Sequence, residues 1–266
     1  MKEQVLELER AGGVTTLWLN RPRKRNALNG ALVDALSEAL RELVPEEETR
    51  VVLIRGRGRD FCAGADLEEL AQITEEGSEA SLADALRLGG LFMLMRRFPM
   101  PIVAAVHGRA LAGGCGLATA CDLILAHEEA ELGYPEVHLG FVPAMVMAIL
   151  RRKLKEGQAF ELVTMGKRIP AGEAEGMGLV NRVFTAASFD EEVEAFTREL
   201  STRPPSALAL IKGLLYELDP LGFDEGIERG AVVNVEARET EVCREEVRSF
   251  LARKGGGRRA MRLCIK

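Results

Sequence analysis

The chain has 266 residues, 47% of them hydrophobic and 29% charged, with a net charge of −6. That balance suits one large globular domain, or a core with an appendage, that buries roughly 70% of its unfolded surface without staples. It argues against nucleic acid as a partner, because affinity for phosphates needs clustered positive charge. Cys62, Cys115, Cys121, Cys243 and Cys264 are odd in number and scattered with no CxxC pair, so neither a disulfide framework nor a zinc site is expected. Residues 1–10 are charged and lack the apolar run of a signal peptide, and no apolar stretch is long enough for a membrane span. A cytoplasmic protein with no membrane partner is the expectation.

Residues 4–8 and 14–19 alternate apolar and polar side chains around Gly12 and Gly13, the pattern of a β-hairpin. Residues 29–43 put Leu32, Val33, Leu36, Leu40 and Leu43 on one helical face, with Asn29 as N-cap. Residues 51–54 form a short apolar run ended by Gly56, a buried strand. Residues 82–98 have helical spacing and stop at Pro99-Met100-Pro101. A second buried strand spans 102–106 and ends at Gly108. Small residues over 113–120 suit a helix packed close against a sheet, and 123–126 is a third strand. Beyond Phe141 the chain turns helical, at 142–150, 158–164, 171–176, 190–201, 206–216 and 223–251, with only 180–183 as strand. The pattern is an α/β core followed by a helical C-terminal region.

A weak internal echo runs through the first half. Residues 51–54 lead through Gly56 into Cys62-Ala63-Gly64-Ala65-Asp66. Residues 102–106 lead through Gly108 into Ala110-Leu111-Ala112-Gly113-Gly114. Two ββα-like units stacked side by side produce this pattern, and so does the commonness of strand–Gly–helix in α/β chains. A helix start offers unpaired N–H groups and partial positive charge, and small residues let a substrate approach them. Two such turns facing one point form an oxyanion hole. The candidate donors are Ala65 and Gly113, with Gly114 next; tight helix–sheet packing is the competing account of the same glycines. Gly108 to Gly116 lacks the Lys-Ser/Thr of a P-loop and does not fit GxGxxG. Arg55-Gly56-Arg57-Gly58-Arg59 looks like an RG-type RNA-binding segment only superficially.

Taken together, Asn20-Arg21-Pro22, Asn26-Ala27-Leu28, Phe61-Cys62-Ala63-Gly64-Ala65-Asp66-Leu67, Val106-His107-Gly108, Ala112-Gly113-Gly114, Cys121-Asp122, Leu132-Gly133-Tyr134-Pro135-Glu136 and Gly178-Leu179-Val180 resemble the crotonase (enoyl-CoA hydratase/isomerase) family in order and spacing. The resemblance covers residues 5–251. It implies an α/β fold, a crotonase-type spiral of ββα units with a helical C-terminal trimerisation region. The core with its acyl-CoA site would span 1–200, and the oligomerisation region 201–266. It further implies a homotrimer or a homohexamer built as a dimer of trimers, a coenzyme A thioester as substrate, no prosthetic group and no metal. Ala65 and Gly113 fall on the family's oxyanion-hole positions. Lys24 and Arg25 fall on the segment along the CoA phosphates, and Ala63, Asp66 and Leu67 fall beside the nucleotide and pantetheine.

The family's chemistry is proton transfer beside a thioester carbonyl through an oxyanion-stabilised enolate, which needs a carboxylate of tuned pKa. Hydratases of the family usually carry two glutamates. Here the second is Glu136 and the first position is Gly116, which cannot move a proton. One glutamate suits a 1,3 proton shift better than hydration. Hydration by Glu136 alone, another crotonase reaction such as acyl-CoA decarboxylation or hydrolysis, and a non-catalytic CoA- or RNA-binding role are the alternatives. His107 reads as a packing residue, His138 as pointing away from the site, Cys62 and Cys115 as small apolar fillers, Asp122 as a structural hydrogen-bonder and Tyr134 as a possible acyl-pocket wall. The basic, glycine-rich stretch 253–266 reads as a frayed tail.

Overall fold

The hairpin at the start of the chain sets the first edge of the large sheet. In the computed structural model, which describes residues 4–44 and 48–263 and side chains up to Arg253, β1 (Leu6–Ala11) and β2 (Val14–Leu19) pair antiparallel. Gly12 and Gly13 turn between them at φ 56° and 81°, the left-handed pair that matches the twist of hairpin strands. Next come α1 (Gly30–Leu43), β3 (Val51–Gly56), α2 (Leu67–Glu76), α3 (Ser78–Arg97), β4 (Ile102–Val106), β5 (Arg109–Leu111) and α4 (Gly113–Ala120). They are followed by β6 (Leu123–His127), β7 (Glu131–Gly133), α5 (Ala144–Lys153), α6 (Glu156–Thr164), β8 (Arg168–Pro170), α7 (Ala171–Met177), β9 (Arg182–Phe184) and α8 (Phe189–Ser201). The remaining helices are α9 (Pro205–Glu217), α10 (Phe223–Glu239) and α11 (Glu241–Leu263). By internal contacts the chain forms two compact units, Met1–Thr202 and Arg203–Lys266.

In the first unit a six-stranded sheet runs β1-β2-β3-β4-β6-β9, and a three-stranded sheet runs β5-β7-β8. From β2 to β9 every pairing in the large sheet is parallel. The echo seen in the sequence is a spiral. Val52 lies beside Ile102 in the large sheet, and further along the same two turns Cys62 bridges Ala110. One turn later Val103 lies beside Leu123 and Arg109 beside Glu131. Each turn thus gives one strand to the large sheet and one short extended segment to the layer beside it.

The apolar runs of β3, β4 and β6 are buried on both faces, as parallel strands under helices must be. Alternate residues divide between two cores. Val52, Ile54, Ala104, Val106 and Ile124 join the main cluster with α1, α3 and α4. Val51, Leu53, Val103, Ala105 and Leu125 pack against Phe189 and Val193 of α8. On α1 the predicted stripe is buried, and the Asn29 side chain caps the helix by accepting from the Leu32 N–H at 3.0 Å.

Several expectations need correction. The segment 67–76 is a helix, α2, which no apolar stripe announced because none of its residues is buried. Helix α3 begins at Ser78, four residues before the predicted start, directly after Gly77 at φ 107°. Strands β5, β7 and β8 have three residues each, too short to show alternation. The predicted helix over 223–251 is two helices, divided at Thr240, whose φ −63° and ψ 139° are extended. Helical backbone continues to Leu263, and Cys264 and the last two residues lie outside the described residues.

In the second unit Arg229 of α10 holds Glu217 at the end of α9 at 2.6 Å and Glu236 of its own helix at 3.2 Å. Ile211, Leu215, Phe223, Ile227 and Val235 are exposed on this unit.

Asn26 is the buried pin of the loop between β2 and α1. Its side chain accepts from the Arg21 N–H at 2.9 Å and donates to the carbonyls of Arg57 at 2.9 Å and Asp60 at 2.8 Å. It sits at φ 56°, a left-handed conformation that asparagine tolerates better than most residues. Asn26→Ala strands three main-chain groups, so urea unfolding should show a loss of about 2–4 kcal/mol; a loss under ~1 kcal/mol would show that the pin is redundant.

Candidate active site

Three neighbouring turns of the spiral lie side by side at the small sheet, and the sequence-predicted residues are spread across them. The first is the segment from Cys62 to Asp66. Ala63 donates to the Arg25 carbonyl at 3.0 Å. Leu28 donates to the Gly64 carbonyl and accepts from the Asp66 N–H, both at 2.7 Å. These two bonds form a parallel bridge between Leu28 and Ala65. In such a bridge the residue between the two bonded neighbours turns its own N–H away from the partner strand. Ala65 is exposed, and its N–H faces outward.

The second turn is β5, Ala112 and α4. The first-turn N–H groups of α4 have no partner within the helix; Gly116 is the first to bond back, to the Ala112 carbonyl at 2.9 Å. A Cβ built on Gly113 would lie 3.8 Å from the Ala65 nitrogen and 3.4 Å from Leu28 Cδ1. The two predicted donors are therefore neighbours across the gap between turns. Gly114 is pressed onto the first turn. A Cβ there would sit 2.2 Å from the Cys62 carbonyl oxygen, so no side chain fits. Ala112 takes φ 49° and ψ −127°, a conformation that costs a non-glycine residue on the order of 1–3 kcal/mol.

The third turn carries Glu136. Gly133, at the end of β7, accepts from the Ala112 N–H at 2.8 Å. Tyr134 is fully buried, with its hydroxyl 2.6 Å from the Thr119 hydroxyl, which donates to the Cys115 carbonyl at 2.7 Å. This chain ties the segment after β7 to α4, so Tyr134 serves the core beneath the site and does not line a pocket. Pro135 opens a 3₁₀ turn over Pro135–Leu139. Glu136 on that turn is buried, and its Oε2 has no hydrogen-bond partner. Burial pushes the Glu136 carboxyl above the ordinary glutamate range, partly offset by its own backbone N–H.

No second carboxylate stands at Gly116. A Cβ built there would lie 2.6 Å from Val146 Cγ2 and 3.5 Å from Phe92 Cζ. The place of the missing acid is an apolar wall supplied by α3 and α5. Nothing in the local sequence marks Phe92 or Val146 for this position, because they reach it through tertiary packing alone.

The segment predicted to meet CoA is split. Lys24 pairs with Glu68 at 2.8 Å, which raises its pKa, while Arg25 at φ 50° turns toward Asp60 at 3.9 Å. The structure does not bring these two cations together. Asp66 pairs with Arg21 at 2.8 Å; burial raises its pKa, but the Arg21 bond and charge outweigh this and hold the carboxyl below the usual range. Leu67 opens α2 with its side chain 57% exposed beside this pair, available for an apolar contact. Burial raises the thiols of Cys62 and Cys115 to about 12 and about 11, so neither is a thiolate at neutral pH.

The other candidates are structural. Asp122 accepts from the Ile102 N–H at 2.7 Å. His138 meets the Gly166 carbonyl at 3.2 Å, on another loop, and His107 meets the Gly58 carbonyl at 3.0 Å. The arginines of the RG segment line a cleft at the carboxyl ends of β2, β3, β4 and β6, whose wall also includes Arg109 of β5 and Glu131 of β7. Arg55 and Arg57 stack on Trp18 at 4.8 and 3.9 Å and pair with Asp190 and Glu7, and Arg109 pairs with Glu131. Its arginines are largely matched by carboxylates and an indole.

This architecture is that of the crotonase-type enzymes: the enoyl-CoA hydratase of Mycobacterium smegmatis superposes with a TM-score of 0.89 at 32% identity, over 94% of this chain and 97% of that one. The model of the enoyl-CoA hydratase/isomerase family matches residues 9–254, and the chain belongs to that family. A putative enoyl-CoA hydratase of Thermus thermophilus is 41% identical over 91% of this chain and 96% of its own. The 2,3-dehydroadipyl-CoA hydratase of Escherichia coli is 33% identical over 94% and 96%. The protein is therefore an enzyme of acyl-CoA chemistry. Among the described residues no helix is long and apolar enough to cross a membrane.

A carboxyl whose pKa rises on folding holds its proton more tightly in the folded state. Its contribution to stability is present below the ordinary glutamate range and is lost as pH rises through the raised value. Glu136→Gln removes that loss. The variant should melt above wild type at pH ~8 and lose the advantage at pH ~4; parallel melting curves across that range would show that Glu136 carries no desolvation penalty.

Proposed function

We propose that the enzyme catalyses a 1,3 proton shift on an enoyl-CoA, converting a 3-enoyl-CoA to a 2-enoyl-CoA, with Glu136 as the one acid–base residue. The observation that carries this reading is the closed wall at Gly116. Two carboxylates hold and activate a water between them; here Val146 and Phe92 fill the second position with apolar groups. A single desolvated carboxylate is suited to take a proton and return it.

In this mechanism the thioester oxygen lies between the Ala65 and Gly113 N–H groups, which are main-chain donors fixed by the bridge to Leu28 and by the start of α4. Ionised Glu136 removes a proton from C2. The electron pair spreads through the C3–C4 double bond and onto the thioester oxygen, where the two donors stabilise the dienolate. Protonated Glu136 then delivers the proton to C4, and the double bond settles between C2 and C3. The apolar wall keeps water from competing for the intermediate. Lys24 and Arg25 serve the CoA phosphates, for which Lys24 leaves its exposed pair with Glu68. Ala63, Asp66 and Leu67 line the nucleotide and pantetheine.

Hydration of a 2-enoyl-CoA by Glu136 alone is the second reading, favoured by the hydratase names of the Thermus and Escherichia relatives. A substrate panel separates the two. Purified enzyme should convert 3-hexenoyl-CoA to 2-hexenoyl-CoA faster than it hydrates crotonyl-CoA, and Glu136→Gln should lower the isomerisation rate by at least ~100-fold. Fast hydration with no isomerisation would sink the proton-shift reading. Full activity in the glutamine variant would show that the base is another group.

A further inference from the structure

Ala112 is one of three non-glycine residues with positive φ among the described residues, beside Arg25 and Asn26. Arg25, with φ 50° and ψ 38°, lies in the ordinary left-handed well, and asparagine tolerates positive φ better than most residues. Ala112, with φ 49° and ψ −127°, lies outside that well, in a region that glycine enters freely and alanine does not. The next two residues are glycine, yet the strained position carries a methyl group. Its main-chain bonds, N–H to the Gly133 carbonyl and C=O from the Gly116 N–H, would serve a glycine equally well. The methyl must therefore account for the alanine.

That methyl points at the other donor turn. A Cβ built on Gly64 would lie 3.1 Å from Ala112 Cβ, so Ala112 fills the notch left by the missing side chain of Gly64. Gly64, at φ 118°, directly precedes Ala65, and Ala112 directly precedes Gly113. We propose that Ala112 is a positioning residue whose methyl group spaces the two donor turns, so that the Ala65 and Gly113 N–H groups meet one oxygen. The proposal rests on reading those two groups as the oxyanion donors. Backbone strain at Ala112 persists because relieving it removes the spacer.

The test compares Ala112→Gly with Ala112→Ser, which keeps the Cβ. Affinity is measured for acetoacetyl-CoA, which presents an enolate oxygen, and for butyryl-CoA, which does not. Wild type should prefer acetoacetyl-CoA. Ala112→Gly should melt no lower than wild type, lose that preference by ~10-fold, and lose kcat on 3-hexenoyl-CoA by a similar factor with KM little changed, as misplaced donors would. Ala112→Ser should keep both within ~3-fold of wild type. A glycine variant that retains the preference overturns the spacer, as does a serine variant that loses as much as glycine. Failure of the donor reading itself looks different, since wild type would then bind the two thioesters alike.

Discussion

The site depends on how closely the start of α4 approaches the first turn of the spiral. Gly114 lies where any side chain would collide with the Cys62 carbonyl. Only a glycine lets the helix start seat itself against the neighbouring turn, and that seating brings Gly113 beside Ala65. The Cys62–Ala110 bridge and the β5–β7 pairing hold the same two turns and the next one in register. The proposed donors and the turn that carries Glu136 are thereby set by main-chain hydrogen bonds between turns.

Burial then sorts the reactive groups. The same low-dielectric surroundings keep Cys62 and Cys115 as thiols and raise the Glu136 carboxyl. A thiol gains nothing chemically from that shift, whereas a carboxylate becomes a stronger base. Tyr134, in the same surroundings, is held neutral and bonded to Thr119, so it supports the loop that carries Glu136.

Legibility in the sequence followed the range of each interaction. The α1 stripe and its Asn29 cap, the buried strands β3, β4 and β6, and the small-residue helix α4 are local patterns, and the structure shows them where they were expected. The order of buried strand, glycine and small-residue turn, seen after β3 and again after β4, foreshadowed two stacked turns. The small sheet did not show, because three-residue strands take their identity from their neighbours. Nor did the strain at Ala112, since an alanine before two glycines suggests that a glycine takes the unusual angles. Lys24 and Arg25 are adjacent in sequence, but the left-handed backbone at Arg25 sends them to different partners.

Val146 shows why the reaction type was harder to read than the fold. The proposed oxyanion donors are backbone groups, which survive almost any side-chain change that preserves the turn geometry. The acid–base half depends on single side chains. At position 116 a side chain would need space that Val146 occupies, with Phe92 in contact beside it, so the absence of a carboxylate there goes with the packing of α5 against α4. A spiral core that keeps its main-chain donors while its carboxylates vary can hold the same thioester and do different things to the carbons beside it. In this chain the filled wall restricts the glutamate pair to one member, and the proposed proton shift follows from that packing.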